Sequence, residues 1–338
     1  MDWFEAITGF QETDYHSTQS CLSVQNGLLC SQFSNRRAAV GDLQLPSLAE
    51  LRSSGLLQHK NKCLSVSNIS GDIRQIHQKS RFEGALFQVA SQFNALEMVS
   101  PSVSPQDGVS GYAFDRTQGP ACAIAAGAAT IYRNYLHPVG GGIGQTGNRQ
   151  INCLADLALA LGSLLKTDAD NLLPMKNGYA LPSNSSLKRI SALLSAMTQS
   201  ELDDLKGRLR IGLHSDVEVT DVQAEKPFLV SQAFCSALPV AYSRISAQIW
   251  EPFARLVLEA AYEATLWAGL INSTRGISNI VLLTRLGGGA FGNRDDWIDE
   301  AMEKSLRLFC NSGLEVVFVS FGSIPKSMID LAEKYGGS

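Results

Sequence analysis

The chain has 338 residues, of which 45% are hydrophobic and 18% charged, with a net charge of −4. Such a chain can bury a large core as one α/β domain or two smaller ones, and it falls outside the disordered and fibrous classes. The acidic balance leaves no basic footprint for nucleic acid, and the apolar stretches are too short for a membrane span. The N-terminus, MDWFEAITGFQETDYH, lacks a basic segment followed by an apolar one, so the expectation is a soluble cytoplasmic protein with neither nucleic-acid nor membrane partners. Its cysteines (Cys21, Cys30, Cys63, Cys122, Cys153, Cys235, Cys310) form an odd, scattered set without a C-x-x-C pair. They predict reduced thiols, and no close Cys or His pair has the spacing of metal ligands.

In chain order, residues 1–60 are rich in Ser, Gln and Asn, and CLSVQNGLL around Asn26-Gly27 predicts a small hairpin. From Lys62, the alternating run CLSVSNIS predicts a strand ending at Gly71-Asp72, and GALFQVASQF predicts a buried strand from Ala85 to about Ser91. The stretch from Asn94 to Gly119 is too long for an ordinary connection and is a candidate functional loop. GPACAIAAGAATIYRNYL, with Pro120 at a first helical position, predicts one small-residue helix from Gly119 to Leu136. PVGGGIGQTGNRQ (138–150) reads as a flexible connector before the apolar helix CLADLALALGSLL. Thr167 to Ser200 reads as peripheral, followed by the polar helix SELDDLKGRL and two strands, LRIGLHSDVEVT and FLVSQAFCSAL. A long helix spans roughly Ser246 to Leu270, and EVVFVSFG closes the sheet near the end of the chain. Strands alternating with helices predict α/β layers around a largely parallel or mixed sheet.

Between that long helix and the last strand, NIVLLTRLGGGAFGN (Asn279 to Asn293) breaks from a β-branched run into glycines. The helix after it carries Trp297, Ile298, Met302, Leu306 and Phe309 on one face. A strand, a glycine turn and a helix start can present an N-terminus to an anion, which points to a nucleotide diphosphate. Gly287, Gly289 and Gly292 satisfy G-x-G-x-x-G, so an NAD-dependent oxidoreductase is one alternative. That fingerprint requires an acid at the end of the next strand, about 20 residues on. Glu315 sits at the start of that strand, and only 16 residues follow Gly322, too few to complete a dinucleotide-binding domain. Open α/β sheets bind ligands at the carboxyl ends of their strands, where Gly71-Asp72-Ile73, the Asn94–Gly119 loop and Gly287–Asn293 converge.

The string VSNISGDIRQI resembles the G-D-I signature of macrodomains, and FQVASQFN resembles the strand-plus-asparagine that comes after it. GPACAIAAGAA stands in the place of that family's small-residue helix, and LGGGAFGN is similar to its second, phosphate-binding loop. The order of the four elements matches over about 60 to 322. The first loop departs from the common short Gly-Gly-Gly turn, and SPSVSPQDGVSGYAFDRTQGP looks similar to divergent MavL-type macrodomain hydrolases that remove ADP-ribose from modified ubiquitin.

The resemblance implies a three-layer α/β/α fold with a mixed central sheet. It also implies an N-terminal extension (1–60) packed on a domain (61–338) with a helical insertion at about 138–208. The implied activity is hydrolytic removal of ADP-ribose from modified protein at the distal ribose, without a cofactor. An arginine linkage is the implied bond, with ubiquitin as one carrier. A non-catalytic ADP-ribose reader is the alternative from a different functional class. In this resemblance Asp72, with Ile73 beside it, accepts from the adenine amino group, and Asn94 points at the distal ribose. Gly287, Gly288, Gly289, Ala290, Phe291, Gly292 and Asn293 wrap the diphosphate and ribose. Asp107 and Asp115 are two carboxylates in one loop, suited to ribose hydroxyls and to an oxocarbenium-like transition state. Gln118 can hold a hydroxyl or a water but cannot act as a base. Arg116 can pair with a carboxylate or phosphate, and Cys122 reads as a small buried residue in preference to a nucleophile.

Overall fold

A computed structural model describes residues 2–55, 62–222 and 225–336. Two short helices, Trp3–Thr8 and Tyr15–Ser20, come before an antiparallel meander of β1 (Leu22–Gln25), β2 (Leu28–Ser31) and β3 (Ser34–Ala39). Asn26 and Gly27, at φ 51° and 76°, make the two-residue turn between β1 and β2, where both positions need positive φ. Next come β4 (Asp42–Gln44), β5 (Ser65–Ser70) and β6 (Leu86–Ala90). Two minor hairpins, β7–β8 (Pro138–Val139, Gly142–Ile143) and β9–β10 (Met175–Lys176, Tyr179–Ala180), precede β11 (Gly212–Glu218), β12 (Leu229–Cys235), β13 (Ile280–Leu283) and β14 (Glu315–Ser320).

Seven of these strands form the central sheet in the order β4-β11-β12-β6-β13-β14-β5. β11 runs antiparallel to both neighbours, and every pair from β12 to β5 is parallel. Parallel strands need cover on both faces, which explains runs such as LFQVA and IVLL that lack polar alternation. Leu86, Val281, Val316 and Phe318 point to one face, into a core shared with the helices Ala247–Thr274 and Asp295–Leu308. Phe87, Val89, Leu282 and Val317 point to the other, with Ile73, Ile76, Cys122 and Ala129. The result is a three-layer α/β/α arrangement with a mixed sheet, as the resemblance implies.

Several local expectations change. The helix expected over Gly119 to Leu136 is broken into Gln118–Ala125, Gly127–Ile131 and a π turn at Tyr132–Leu136. Ala126 leaves helical geometry (φ −107°, ψ 55°) because Thr220 enters the gap, its N–H donating to Ala125 O and its Oγ1 accepting from Gly127 N. Pro120 is consequently the third helical residue. The 138–150 segment folds into the β7–β8 hairpin instead of serving as a loose connector. The stretch read as peripheral contains the helix Asn184–Ala196, whose Leu187, Ile190 and Leu194 are buried in the main core against Ala247–Thr274. β14 lies inside the sheet and β5 forms its edge.

The N-terminal region is also more than a cover. β4 joins the central sheet, and Leu48–Gly55 packs on the Ala247–Thr274 helix, so residues 42–55 share the sheet and core of the rest of the chain. The expected boundary at 60 falls outside the described residues. No helix among the described residues is long and apolar enough to cross a membrane. Because the helix Asn184–Ala196 is an integral part of this core, Ile190→Ala should lower unfolding stability by about 2–5 kcal/mol through cavity formation. Urea denaturation checks this, and an unchanged midpoint would make the helix an appendage.

Candidate functional site

Because β5, β6, β12, β13 and β14 are parallel, their carboxyl ends leave the sheet on one side. Two cavities lie there and share Thr117, Gln118, Thr284 and Arg285, so they form one continuous cleft. The N-terminus of the Gln118–Ala125 helix stands where they join, with no side chain capping it.

The first cavity is lined by Gly71, Asp72, Ile73, Arg116 and Phe321 among others. Asp72 is the N-cap of the short helix Ile73–His77, its Oδ1 accepting from Arg74 N at 2.8 Å. Short polar residues are favoured there because they satisfy an orphan helix N–H. Arg74 turns away to a bidentate pair with Asp221, whose hydrogen bonds hold its pKa above the usual value. Phe321, 87% exposed at the end of β14, offers a free aromatic face. Arg116 is exposed and makes no hydrogen bond or ion pair to the described residues, whereas Arg285 is committed to Asp295 and Asp299.

The second cavity holds a residue that sequence reasoning missed. Glu97 is 3% exposed, lines the cavity, and its Oε1 has no hydrogen-bond partner. Burial raises its pKa well above 4.5; the positive charge of Arg133 opposes the shift and the negative charge of Asp115 adds to it. A buried carboxyl without a contacting cation favours the neutral, proton-bearing form. Gly119 makes room for it, since a Cβ there would lie 2.0 Å from Ala90 O and 2.3 Å from Glu97 Oε2. Asp115 lines the same cavity and accepts from Thr117 N at 2.8 Å. Tyr179, Tyr242 and Phe291 complete the wall, with ring centroids 5.2, 5.4 and 5.7 Å apart. Tyr179 comes from the β9–β10 hairpin and donates to Met98 O at 2.6 Å. A carboxylate three residues after the strand-end asparagine was the one available sequence signal for Glu97.

Of the residues named from sequence, Asp72, Ile73, Asp115, Gln118, Gly287, Gly289, Ala290 and Phe291 line the cleft. Asn94 does not. It is fully buried, donating to Gln150 Oε1 and accepting from Leu96 N, and so shapes the loop from behind. Asp107 lines neither cavity. Its Oδ2 accepts from the N–H and hydroxyl of Ser104 in a capping box, which commits the carboxylate locally. Gln118 lines the cleft with its amide already engaged: Oε1 accepts from Ala90 N, and Nε2 donates to Gln88 O and Cys122 Sγ. It ties the helix to the end of β6.

Gly288 and Gly292 are exposed and line neither cavity, while Asn293 is buried and closes the turn by donating from Nδ2 to Leu238 O and from its backbone to Gly287 O. The helix after this loop starts only at Asp295, with Asp295 and Asp296 in its first turn. Those carboxylates take the favourable end of the dipole, so this N-terminus does not receive the anion expected of it. Cys122 is fully buried, and burial raises its thiol pKa well above 9.0, which suits packing and opposes nucleophilic use. No group of three or more His, Cys, Asp or Glu that could hold a metal occurs among the described residues.

No protein-family model matches the chain, and no curated protein does. Solved structures similar to it include a poly(ADP-ribose) glycohydrolase from Deinococcus radiodurans in complex with ADP-ribose, at 11% identity and a TM-score of 0.44. That match covers 86% of this chain and 91% of the other. The apo form from the same organism matches at 10% identity and a TM-score of 0.43, over 88% and 94%. A poly(ADP-ribose) glycohydrolase from Thermomonospora curvata matches at 12% identity and a TM-score of 0.43, over 86% and 84%. At that distance the likeness carries no inference about the cleft.

The buried Glu97 has a consequence for stability. Its folded pKa lies above the unfolded value, so from about pH 4.5 upward the unfolded chain gives up this proton more readily than the native one, and stability falls as pH rises. Glu97→Gln should therefore leave thermal stability near pH 4 almost unchanged and raise it progressively toward pH 8. A pH-independent difference between the two proteins in calorimetric scans would refute the protonated carboxyl.

Proposed function

We propose that the cleft binds ADP-ribose in extended form and that the protein hydrolyses the bond joining its distal ribose to a modified protein. The observation that carries this is a buried, unpartnered carboxyl, Glu97, at one end of a cleft whose other end offers Asp72 and an exposed aromatic ring. The adenine base stacks on Phe321 and its amino group donates to Asp72, while the ribose next to it spans Thr117 and Gln118. Arg116 and the uncapped start of the Gln118–Ala125 helix face the diphosphate with positive charge and free N–H groups, and Gly287 and Gly289 let the backbone approach it. The distal ribose then enters the aromatic cavity beside Glu97 and Asp115.

Glycoside cleavage needs one group to protonate the leaving atom and another to stabilise the oxocarbenium-like centre or orient water. Glu97, kept protonated by burial, takes the first role, as buried carboxyls do in other hydrolytic sites. Asp115 takes the second. This replaces the Asp107 and Asp115 pair inferred from spacing. Acceptor chemistry is set by the same walls: a planar guanidinium is matched by aromatic faces and carboxyl oxygens, which supports an arginine linkage. Ubiquitin as carrier rests on the resemblance of the 100–120 loop to MavL-type hydrolases.

Calorimetry with ADP-ribose and a release assay on arginine-modified protein test these assignments. Phe321→Ala should weaken ADP-ribose binding by about ten-fold, within the usual 1–3 kcal/mol of base stacking. Glu97→Gln should lower release by about 10²–10⁴-fold with the dissociation constant changed only a few-fold. Wild-type activity should decline on the alkaline side, as the Glu97 proton is lost. Binding without turnover on any linkage would leave a reader module; tight NAD binding with none of ADP-ribose would sink the proposal.

A further inference from the structure

A segment near the N-terminus holds the loop that builds the carboxyl cavity. The two carboxylate oxygens of Glu12 both lie 2.9 Å from Val109 N, and Oε2 also accepts from Ser110 N at 2.7 Å. Tyr135 donates its hydroxyl to Oε1 at 2.7 Å, and Trp3 Nε1 donates to Ser110 O at 3.3 Å. The approach is close enough that a Cβ on Gly108, at φ 85°, would sit 2.4 Å from Glu12 Oε2. These bonds fix the start of the short 3-10 helix Ser110–Phe114, supplying from 97 residues away the cap that its own N-terminal neighbours do not provide. That helix has two effects. Tyr112 Oη accepts from Glu97 N at 2.9 Å, and Asp115, the C-cap of the same turn, lines the cavity.

We propose that Glu12 is a positioning residue for the hydrolytic pair, setting Glu97 and Asp115 relative to each other through the Ser110–Phe114 turn. The inference rests on the ADP-ribose hydrolase reading, and it gives the N-terminal segment a role in the chemistry beyond covering the core. A carboxylate gathering two backbone N–H groups is a strong, directional clamp. Its loss displaces both catalytic carboxyls together and leaves Asp72 and Phe321 untouched. Displacements of about 1 Å in such sites cost on the order of 10²-fold in rate.

The test compares wild type, Glu12→Ala and Glu12→Gln at a temperature where all three are fully folded by near-ultraviolet circular dichroism. Glu12→Ala should lower kcat about 10–100-fold while the dissociation constant for ADP-ribose stays within about three-fold. Glu12→Gln, which keeps one acceptor oxygen, should recover part of the loss. Amide hydrogen exchange should quicken over 108–115 and stay unchanged over 287–293. A kcat within two-fold of wild type, or unchanged exchange over 108–115, would overturn the proposal. Should Glu12→Ala fail to fold, Tyr135→Phe, which removes one bond of the clamp, should show the same selective loss of kcat on a smaller scale, and full activity there would count against it. If the wild type neither binds nor cleaves ADP-ribose, the functional reading fails while the exchange data still decide whether Glu12 orders the loop.

Discussion

The parallel core of the sheet imposes one constraint on which the rest of the molecule depends. β12, β6, β13, β14 and β5 point the same way, so each must be covered on both faces and each must deliver its outgoing loop to the same edge. The first demand explains the largely buried segments LFQVA and IVLL and the small-residue helix that lies close over β6. The second demand makes the cleft. Asp72, the 91–98 turn, Thr284 to Phe291 and Phe321 become neighbours although up to 249 residues separate them, because each comes directly after a strand of that set.

Holding a carboxyl without a contacting cation inside such a cleft costs free energy, and the surrounding turn is built to resist its escape. Ala95 sits at φ 57°, an uncommon value for a residue with a side chain, and its carbonyl accepts from Arg133 Nε at 3.0 Å. Gln92 Oε1 accepts from Met98 N, and Asn94 Oδ1 from Leu96 N. Arg133 itself is fully buried, with its guanidinium 3.8 Å from the centre of the Phe234 ring and its other donors at His214 and Thr130. Burial lowers the Arg133 pKa to about 10, which still leaves it charged near neutrality. Burial first, and the Arg133 charge second, hold His214 well below 6.5, so the imidazole stays neutral and can accept. The turn carrying Glu97 is thus anchored by neutral acceptors around one distant positive charge, which moderates the upward shift of the acid without cancelling it.

The 138–208 segment and the N-terminal segment both complete this environment. The β9–β10 hairpin brings Tyr179 against Tyr242 and Phe291, which turns an open strand end into a walled cavity. Glu12 and Trp3 reach the other side of the same loop. Neither region carries a recognisable motif, and both shape the site through contacts more than 60 residues apart in sequence.

Much of the molecule was legible in its residues. Alternation in SVSNIS, the lack of polar alternation in β6 and β13, the Asn26-Gly27 turn and the amphipathic face of Trp297 to Leu306 are local signals, and they specify local structure. The strand ending at Gly71-Asp72 was legible in the same way, whereas the short helix that Asp72 caps was not foreseen. Carboxylate roles were not legible. Asp107 and Asp115 lie in one glycine-rich loop and look alike in sequence, yet a serine three residues earlier engages one, while the other faces the cavity. Glu97, set among ordinary loop residues, owes its raised pKa to burial, and Tyr112, Gly119, Tyr179 and Arg133 provide its surroundings from four separate elements. Periodicity and turn chemistry are written residue by residue and so determine the elements and their order. Desolvation depends on which distant surfaces close over a group, and only the tertiary structure decides that.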